Sequence, residues 1–303
     1  PEQEIVVVQG SAPLSPARDP EVGWRNLARL HEMTRRASRP GALVVWPEGS
    51  VPVYVPVDAR SAAEEPALPW YRDGSTMLVG AYAADHEGRR FNAAFQVGPD
   101  GRVERPYFKR VLIPFGEAIP FADVVPWLGR LNARAGVFTP GTESRVFDLR
   151  LQGSTGPRSL RVAPLICYED TIPGLSREAV QGGANLLVNL TYDTWFGRTV
   201  APAQHHLIAA FRAVENGRYL VRATNSGLSA VVDPLGRTVA SVPQFQPGTA
   251  TARVRLLSGV TPYTGFVGDL PWWLLLTSAV TGAAARRVQA ATVASSSRRW
   301  VWG

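Results

Sequence analysis

A chain of 303 residues that is 45% hydrophobic can bury one large core or two modest ones. Its net charge of +7 is spread over the sequence, with no basic run and no aromatic-basic motif, which excludes a nucleic-acid module and leaves a solvated surface suited to anionic lipid headgroups. The single cysteine, Cys167, excludes an intrachain disulfide and a cysteine-cluster zinc site. His205 and His206 are adjacent, about 100° apart on a helix and poor chelators, so neither a metal nor a cofactor is expected.

In chain order, Glu4 to Gln9 reads as a buried strand with no leader peptide before it. The numbering opens inside a fold, as a fragment or one half of a longer system would. Pro20 to Ala37 carries Val22, Leu27, Leu30 and Met33 at helical spacing, with Asp19 as the candidate N-cap. A second apolar strand, Ala42 to Trp46, stops at Pro47-Glu48-Gly49-Ser50-Val51-Pro52, so Glu48 is held between prolines at the end of a buried strand. Residues 56 to 75 read as a loop. Thr76 to Ala83 and Asn92 to Val97 are strands, and Gly98-Pro99-Asp100-Gly101 makes a turn after the second of them. Lys109, the only lysine, lies in a shaped loop with Pro114, Gly116 and Glu117, and residues 129 to 142 read as another loop.

The run Leu160 to Ile166 reads as a buried strand, and Leu175 to Gln181 as a helix after Pro173-Gly174. Cys167 then stands on the tight turn between them, where open α/β sheets place their chemistry. The alternative is a small buried hydrophobe. Asn185 to Leu190 is a further strand. Pro202 to Asn216 reads as a helix with Leu207, Ile208, Phe211 and Val214 inward and Gly217 as its stop. Tyr219 to Ala223, Ser229 to Val232, Thr238 to Val242 and Thr249 to Leu256 complete the strands, so the β-rich and β-α segments fall into two comparable halves. Residues 270 to 285 are uncharged, with Trp272-Trp273 at one end and Arg286-Arg287 at the other. We read them as a membrane helix, although 16 residues fall short of the roughly 20 a span needs. A partner-packing helix is the alternative. Residues 286 to 303 read as a basic, disordered tail.

A carboxylate after one strand, a lone lysine in a rigid loop and a lone cysteine at an elbow make a complete acyl-transfer kit. A carboxylate can take the thiol proton, and an ammonium can stabilise both the thiolate and the oxyanion formed on attack. The order Glu48, Lys109, Cys167 on strand-helix units resembles the nitrilase superfamily. Finer motifs resemble its apolipoprotein N-acyltransferase branch: Trp46 to Pro52, Asn92 after an aromatic, Lys109 through Pro114-Phe115-Gly116-Glu117, Cys167-Tyr168-Glu169, Asp193-Thr194-Trp195-Phe196-Gly197, Gln204-His205, Arg212 to Glu215 with Arg218, and Arg222 to Gly227. Tyr192 stands where that branch usually has Asn, and Val111 where His is common.

The resemblance covers roughly residues 3 to 270. It implies an α/β fold, the four-layer αββα sandwich, as a catalytic domain over 1–257, followed by a linker at 258–269, the apolar helix at 270–285 and the tail at 286–303. It implies catalysis by Glu48, Lys109 and Cys167, with Glu117 orienting Lys109, Glu169 supporting the elbow, Asn92 and Arg222 ordering loops, and Tyr168 and Trp195 as further supporting positions. The implied partners are a phospholipid acyl donor, a diacylglyceryl-cysteine apolipoprotein acceptor and the membrane, with a separate transmembrane-domain partner if the chain is one half of a system. The implied place is the periplasmic side of a bacterial inner membrane. The same triad also serves a soluble carbon-nitrogen hydrolase, and a non-catalytic subunit of a split acyltransferase is the third reading.

Overall fold

The strand signals resolve into two sheets that face each other. The computed structural model describes residues 2–13, 20–119, 138–153, 156–268 and 270–297. In chain order the strands are β1 (Glu2–Gln9), β2 (Leu43–Trp46), β3 (Val55–Pro56), β4 (Thr76–Ala84), β5 (Arg90–Val97), β6 (Tyr107–Phe108), β7 (Phe147–Gly153), β8 (Gly156–Ile166), β9 (Leu186–Thr191), β10 (Tyr219–Thr224), β11 (Ser229–Val232), β12 (Thr238–Val242) and β13 (Gly248–Arg255). The helices are α1 (Pro20–Ala37), α2 (Pro173–Gln181), α3 (Ala201–Asn216) and α4 (Leu270–Ser297). One sheet runs β13-β1-β2-β4-β5-β6, with β3 beside β4, and the other runs β12-β11-β10-β9-β8-β7. In each, three parallel strands form the centre, β1-β2-β4 and β8-β9-β10, and the flanking β13, β5, β7 and β11 pair antiparallel.

Side chains alternate across a strand, so a strand apolar at every position must be covered on both faces. Ile5, Val7, Leu43 and Val45 face one way and meet Val162, Leu186, Val188, Val221 and Val231 of the opposite sheet. Val6, Val8, Val44 and Trp46 face the other way, onto Leu27 and Leu30 of α1. Across the second sheet, Ala163, Leu187, Leu220 and Val232 pack on Ala179 and Val180 of α2 and Ala209 and Ala213 of α3. The result is a four-layer αββα sandwich. Trp46 also donates from its indole to the Thr34 hydroxyl at 2.8 Å, fixing α1 over β2.

The buried face of α3 differs from the one expected. Leu207, Ile208, Phe211 and Val214 of α3 are exposed, and the helix instead buries His205, His206, Ala209, Arg212, Ala213 and Asn216. Alanines let the helix come close to the sheet, while His205 meets Asp170 in the turn after β8 and Asn216 donates to the Arg212 carbonyl within the helix. β7 pairs with β8 as a hairpin that was not read in the sequence. Asp19 and residues 129–137 lie outside the described residues.

One compact unit runs from Pro1 to Thr261, four residues past the expected boundary at 257, and a second from Pro262 to Gly303. In the second unit α4 continues for 28 residues, through 286–297, where the tail was expected to be disordered. No Gly-Pro stop interrupts that Ala-rich stretch, so nothing ends the helix at Arg286. Among the described residues no helix is long and apolar enough to cross a membrane, so the span expected over 270–285 is not found. Thr277, Ser278, Thr281 and Gly282 dilute its apolar character, and the three hydroxyls bond back to the helix carbonyls.

Candidate active site

Glu48 follows β2, and its position depends on the strand beside it. A Cβ on Gly80 of β4 would lie 2.5 Å from the Pro47 carbonyl oxygen and 2.6 Å from Glu48 Cα, so only glycine lets the acid turn inward here. The turn is closed by Ser50, whose N–H donates to Gly80 O at 2.8 Å. Glu48 is buried and accepts from Asn92 Nδ2 at 2.6 Å. Burial raises its pKa, Lys109 pulls it back, and Glu117 raises it further.

Lys109 extends β6 and is fully buried. Its backbone N–H donates to Asn92 O at 2.8 Å, and Nζ donates to Glu117 Oε2 at 2.6 Å. Burial alone would strip the charge from this amine. Glu48, Cys167 and Glu117 outweigh it and carry the pKa up to about 12, so Lys109 is an ammonium at neutral pH. Asn92 spends its two amide protons on Glu48 Oε1 and on Glu117 Oε1, the latter at 3.0 Å, and thereby spaces the two acids around one cation.

Cys167 opens the single turn of 3-10 helix, Cys167–Thr171, that comes after β8. Its φ of 52° lies in the left-handed region, which costs a non-glycine residue about 1–2 kcal/mol. The turn is held from both sides. Asn189 Nδ2 donates to Cys167 O at 3.1 Å. The buried Glu169 carboxylate accepts Ile166 N–H at 2.8 Å, Arg110 N–H at 2.6 Å, Val111 N–H at 3.1 Å and the Tyr107 hydroxyl at 2.9 Å. Glu169 therefore pins the cysteine elbow to the loop that carries Lys109. Burial pushes the Cys167 thiol well up, Glu48 adds to this, and Lys109 and the Thr191 hydroxyl pull it down.

Glu48, Lys109, Cys167, Glu117, Asn92 and Glu169 are thus one connected cluster at the carboxyl ends of β2 and β8, where parallel sheets leave room for chemistry. The other three positions lie apart from it. Tyr168 is exposed, and Trp195 is exposed with its ring edge toward Tyr192. Arg222, fully buried in β10, pairs with Asp193 at 3.1 Å and Asp170 at 3.6 Å. Around it stands a group that sequence reasoning did not assign to the site: Asp170, Thr191, Asp193 and His205. Asp170 and Asp193 lie just past the ends of β8 and β9, and that placement was the available signal.

A buried thiol, carboxylate and ammonium gathered at the strand ends of an αββα sandwich define the nitrilase-like class of α/β proteins. The sequence profile of the carbon-nitrogen hydrolase family matches residues 7–259, and the chain belongs to that family. It is 35% identical over 290 residues to the apolipoprotein N-acyltransferase of Geobacter metallireducens, covering 94% of this chain and 54% of that one. With the Pseudomonas putida protein of the same name it shares 32% over 270 residues, 86% of this chain and 50% of the other. The chain therefore spans about half the length of these relatives. Among solved structures, Nit3 of Saccharomyces cerevisiae superposes with a TM-score of 0.58 at 19% identity, covering 84% of this chain and 90% of that one. An amidase from Nesterenkonia sp. AN1, with acrylamide added at its active-site cysteine, superposes with a TM-score of 0.57 at 21% identity, covering 90% and 99%. Both share the fold.

Proposed function

We propose that this chain is the catalytic part of an N-acyltransferase, which moves a fatty acyl chain from a phospholipid to the N-terminal amine of a diacylglyceryl-cysteine apolipoprotein. The observation that carries the reading is the 35% identity to an apolipoprotein N-acyltransferase over 94% of the chain. The buried cluster supports it chemically. In the first half-reaction Glu48 takes the proton of Cys167, and the sulfur attacks the acyl ester carbon. Lys109 and backbone N–H groups of the elbow hold the oxyanion. When the tetrahedral adduct collapses, Glu48 returns its proton to the departing alkoxide, and a lysophospholipid leaves an acyl thioester on Cys167. In the second, the lipoprotein amine attacks the thioester, gives one proton to Glu48, and leaves as the amide while Cys167 recovers its proton.

The electrostatics suit both steps. Burial raises the proton affinity of Glu48, making it a better acceptor than an exposed acid. Glu117 remains beside Lys109 as its counter-charge when Glu48 is protonated. On this reading the protein works at the bacterial inner membrane, with its site on the periplasmic side and a transmembrane domain as partner. The test is mass spectrometry of the protein after incubation with phosphatidylethanolamine vesicles, with and without a diacylglyceryl-cysteine peptide. The expected result is a fatty-acyl adduct on Cys167 that only the peptide discharges. Rapid discharge by water points to a carbon-nitrogen hydrolase, and no adduct at all points to a non-catalytic subunit.

A further inference from the structure

Beside the cysteine elbow lies a buried charge group that the acyl-transfer scheme does not use. His205 of α3 meets Asp193 Oδ1 through Nδ1 at 2.9 Å and Asp170 Oδ1 through Nε2 at 2.8 Å. A carboxylate only accepts, so both ring nitrogens donate and the imidazole is a cation. Arg222 stands against the remaining oxygens, 3.1 Å from Asp193 Oδ2 and 3.6 Å from Asp170 Oδ2. Two carboxylates then balance one guanidinium and one imidazolium, all nearly or fully buried. Gly227 leaves Asp193 its room, since a Cβ there would lie 2.4 Å from Oδ2.

The two acids are not equally held. Asp193 also accepts the Thr191 hydroxyl at 3.1 Å and Arg222 Nη2 at 3.1 Å. Asp170 has the bond from His205, while its Oδ2, without a hydrogen bond among the described residues, faces only the Arg222 charge. Asp170 belongs to the same 3-10 turn as Cys167, whose φ of 52° must be held by its surroundings. Glu169 fastens that turn to the Lys109 loop, and Asp170 fastens it through His205 to the turn after β9. We propose that His205 is a positioning residue for Cys167: its imidazolium bridges Asp170 and Asp193 and so holds the left-handed backbone on which the nucleophile stands. A neutral ring has one N–H for two acids, so release of the proton to solvent opens the bridge at one end, whichever tautomer forms. The pKa of about 8 puts that release just above neutrality. The groups facing His205 are Asp170 from the elbow turn, Asp193 from the turn after β9, Arg222 from β10, the Phe196 ring edge and His206.

This role deepens the acyltransfer reading, and it is tested with an ester that is not a lipid. The burst of p-nitrophenolate from p-nitrophenyl butyrate, less that of Cys167→Ala, reads acylation of Cys167 in the full chain from pH 6.5 to 9. His205→Gln donates from one end only, as the neutral ring does. Wild type should therefore acylate about tenfold faster than His205→Gln at pH 6.5, with KM alike, and the ratio should fall toward one at pH 9. In Asp170→Asn the amide can turn its oxygen to a charged ring or its N–H to a neutral one, so the bridge outlasts the proton and the fall in rate near pH 8 disappears. A His205→Gln chain that melts earlier yet keeps the wild-type rate and pH profile has lost only stability, and that result overturns the proposal. A fall near pH 8 that persists in Asp170→Asn overturns it as well. So does a wild type that gives no burst, since it has no nucleophile to position. Wild-type protein that shows the expected burst yet gains no acyl group from phospholipid vesicles leaves His205 in its role and removes the acyltransferase reading alone.

Discussion

His205→Gln is the perturbation whose effect the structure defines most closely. The imidazolium donates to Asp193 and Asp170, and these bonds outweigh burial and the Arg222 charge to raise its pKa from 6.5 to about 8. A group whose folded pKa is raised adds stability that is fully present below its unfolded value and lost as pH rises through the folded one. For His205 that window runs from pH 6.5 to about 8. A rise of that size corresponds to about 2 kcal/mol. Gln, like the neutral imidazole, donates from one end only, so above the folded pKa the two proteins make the same number of donated bonds. Urea unfolding of both proteins from pH 5.5 to 9 supplies the measurement. The deficit of the variant should be about 2 kcal/mol at the acid end and shrink toward zero at the basic end. His206, lowered to about 4, adds a pH dependence below about 6.5 that both proteins share, so it drops out of the difference between them. A deficit that is flat with pH, or that grows toward pH 9, would show that His205 is not held as a cation.

Two further outcomes rest on packing. Gly80→Ala forces a methyl into the Pro47-Glu48 backbone, costing about 1–3 kcal/mol in stability. Because Glu48 moves with that backbone, thioester formation should slow about 100-fold, and a wild-type rate would show that its placement is not critical. On α3, replacing Leu207 and Phe211 together with Ser should change unfolding free energy by no more than about 0.5 kcal/mol. Ala213→Leu, on the buried face, should cost about 1–3 kcal/mol, and the opposite ranking in denaturant melts would return the large apolar residues to the core.

The α3 helix shows why sequence pattern alone misjudges a face. Leu207, Ile208, Phe211 and Val214 form a better apolar stripe than the face that is buried. What decides is how near the helix must lie to β9 and β10, and Ala209 and Ala213 permit that approach. Buried His205 and Asn216 look wrong for a core until Asp170, Asp193 and Ser176 are seen beside them. The β7–β8 hairpin did leave a trace, the alternation of Phe147, Leu149 and Leu151 with Asp148 and Arg150. Cys167 was legible because a short apolar strand led into it and a proline-started helix led away.

From the residues alone came the strand ends that carry Glu48 and Cys167, the loop that carries Lys109, and the rarity of lysine and cysteine in this chain. These are local properties, set by apolar runs and by the residues that stop them. Tertiary structure decided the rest: that β2, β6 and β8 bring the three together, that Glu169 fastens two of their loops, and that His205 is clamped between two acids. Proton affinity depends on distance through space and on exclusion of water. Neither quantity exists until strands separated by scores of residues lie side by side.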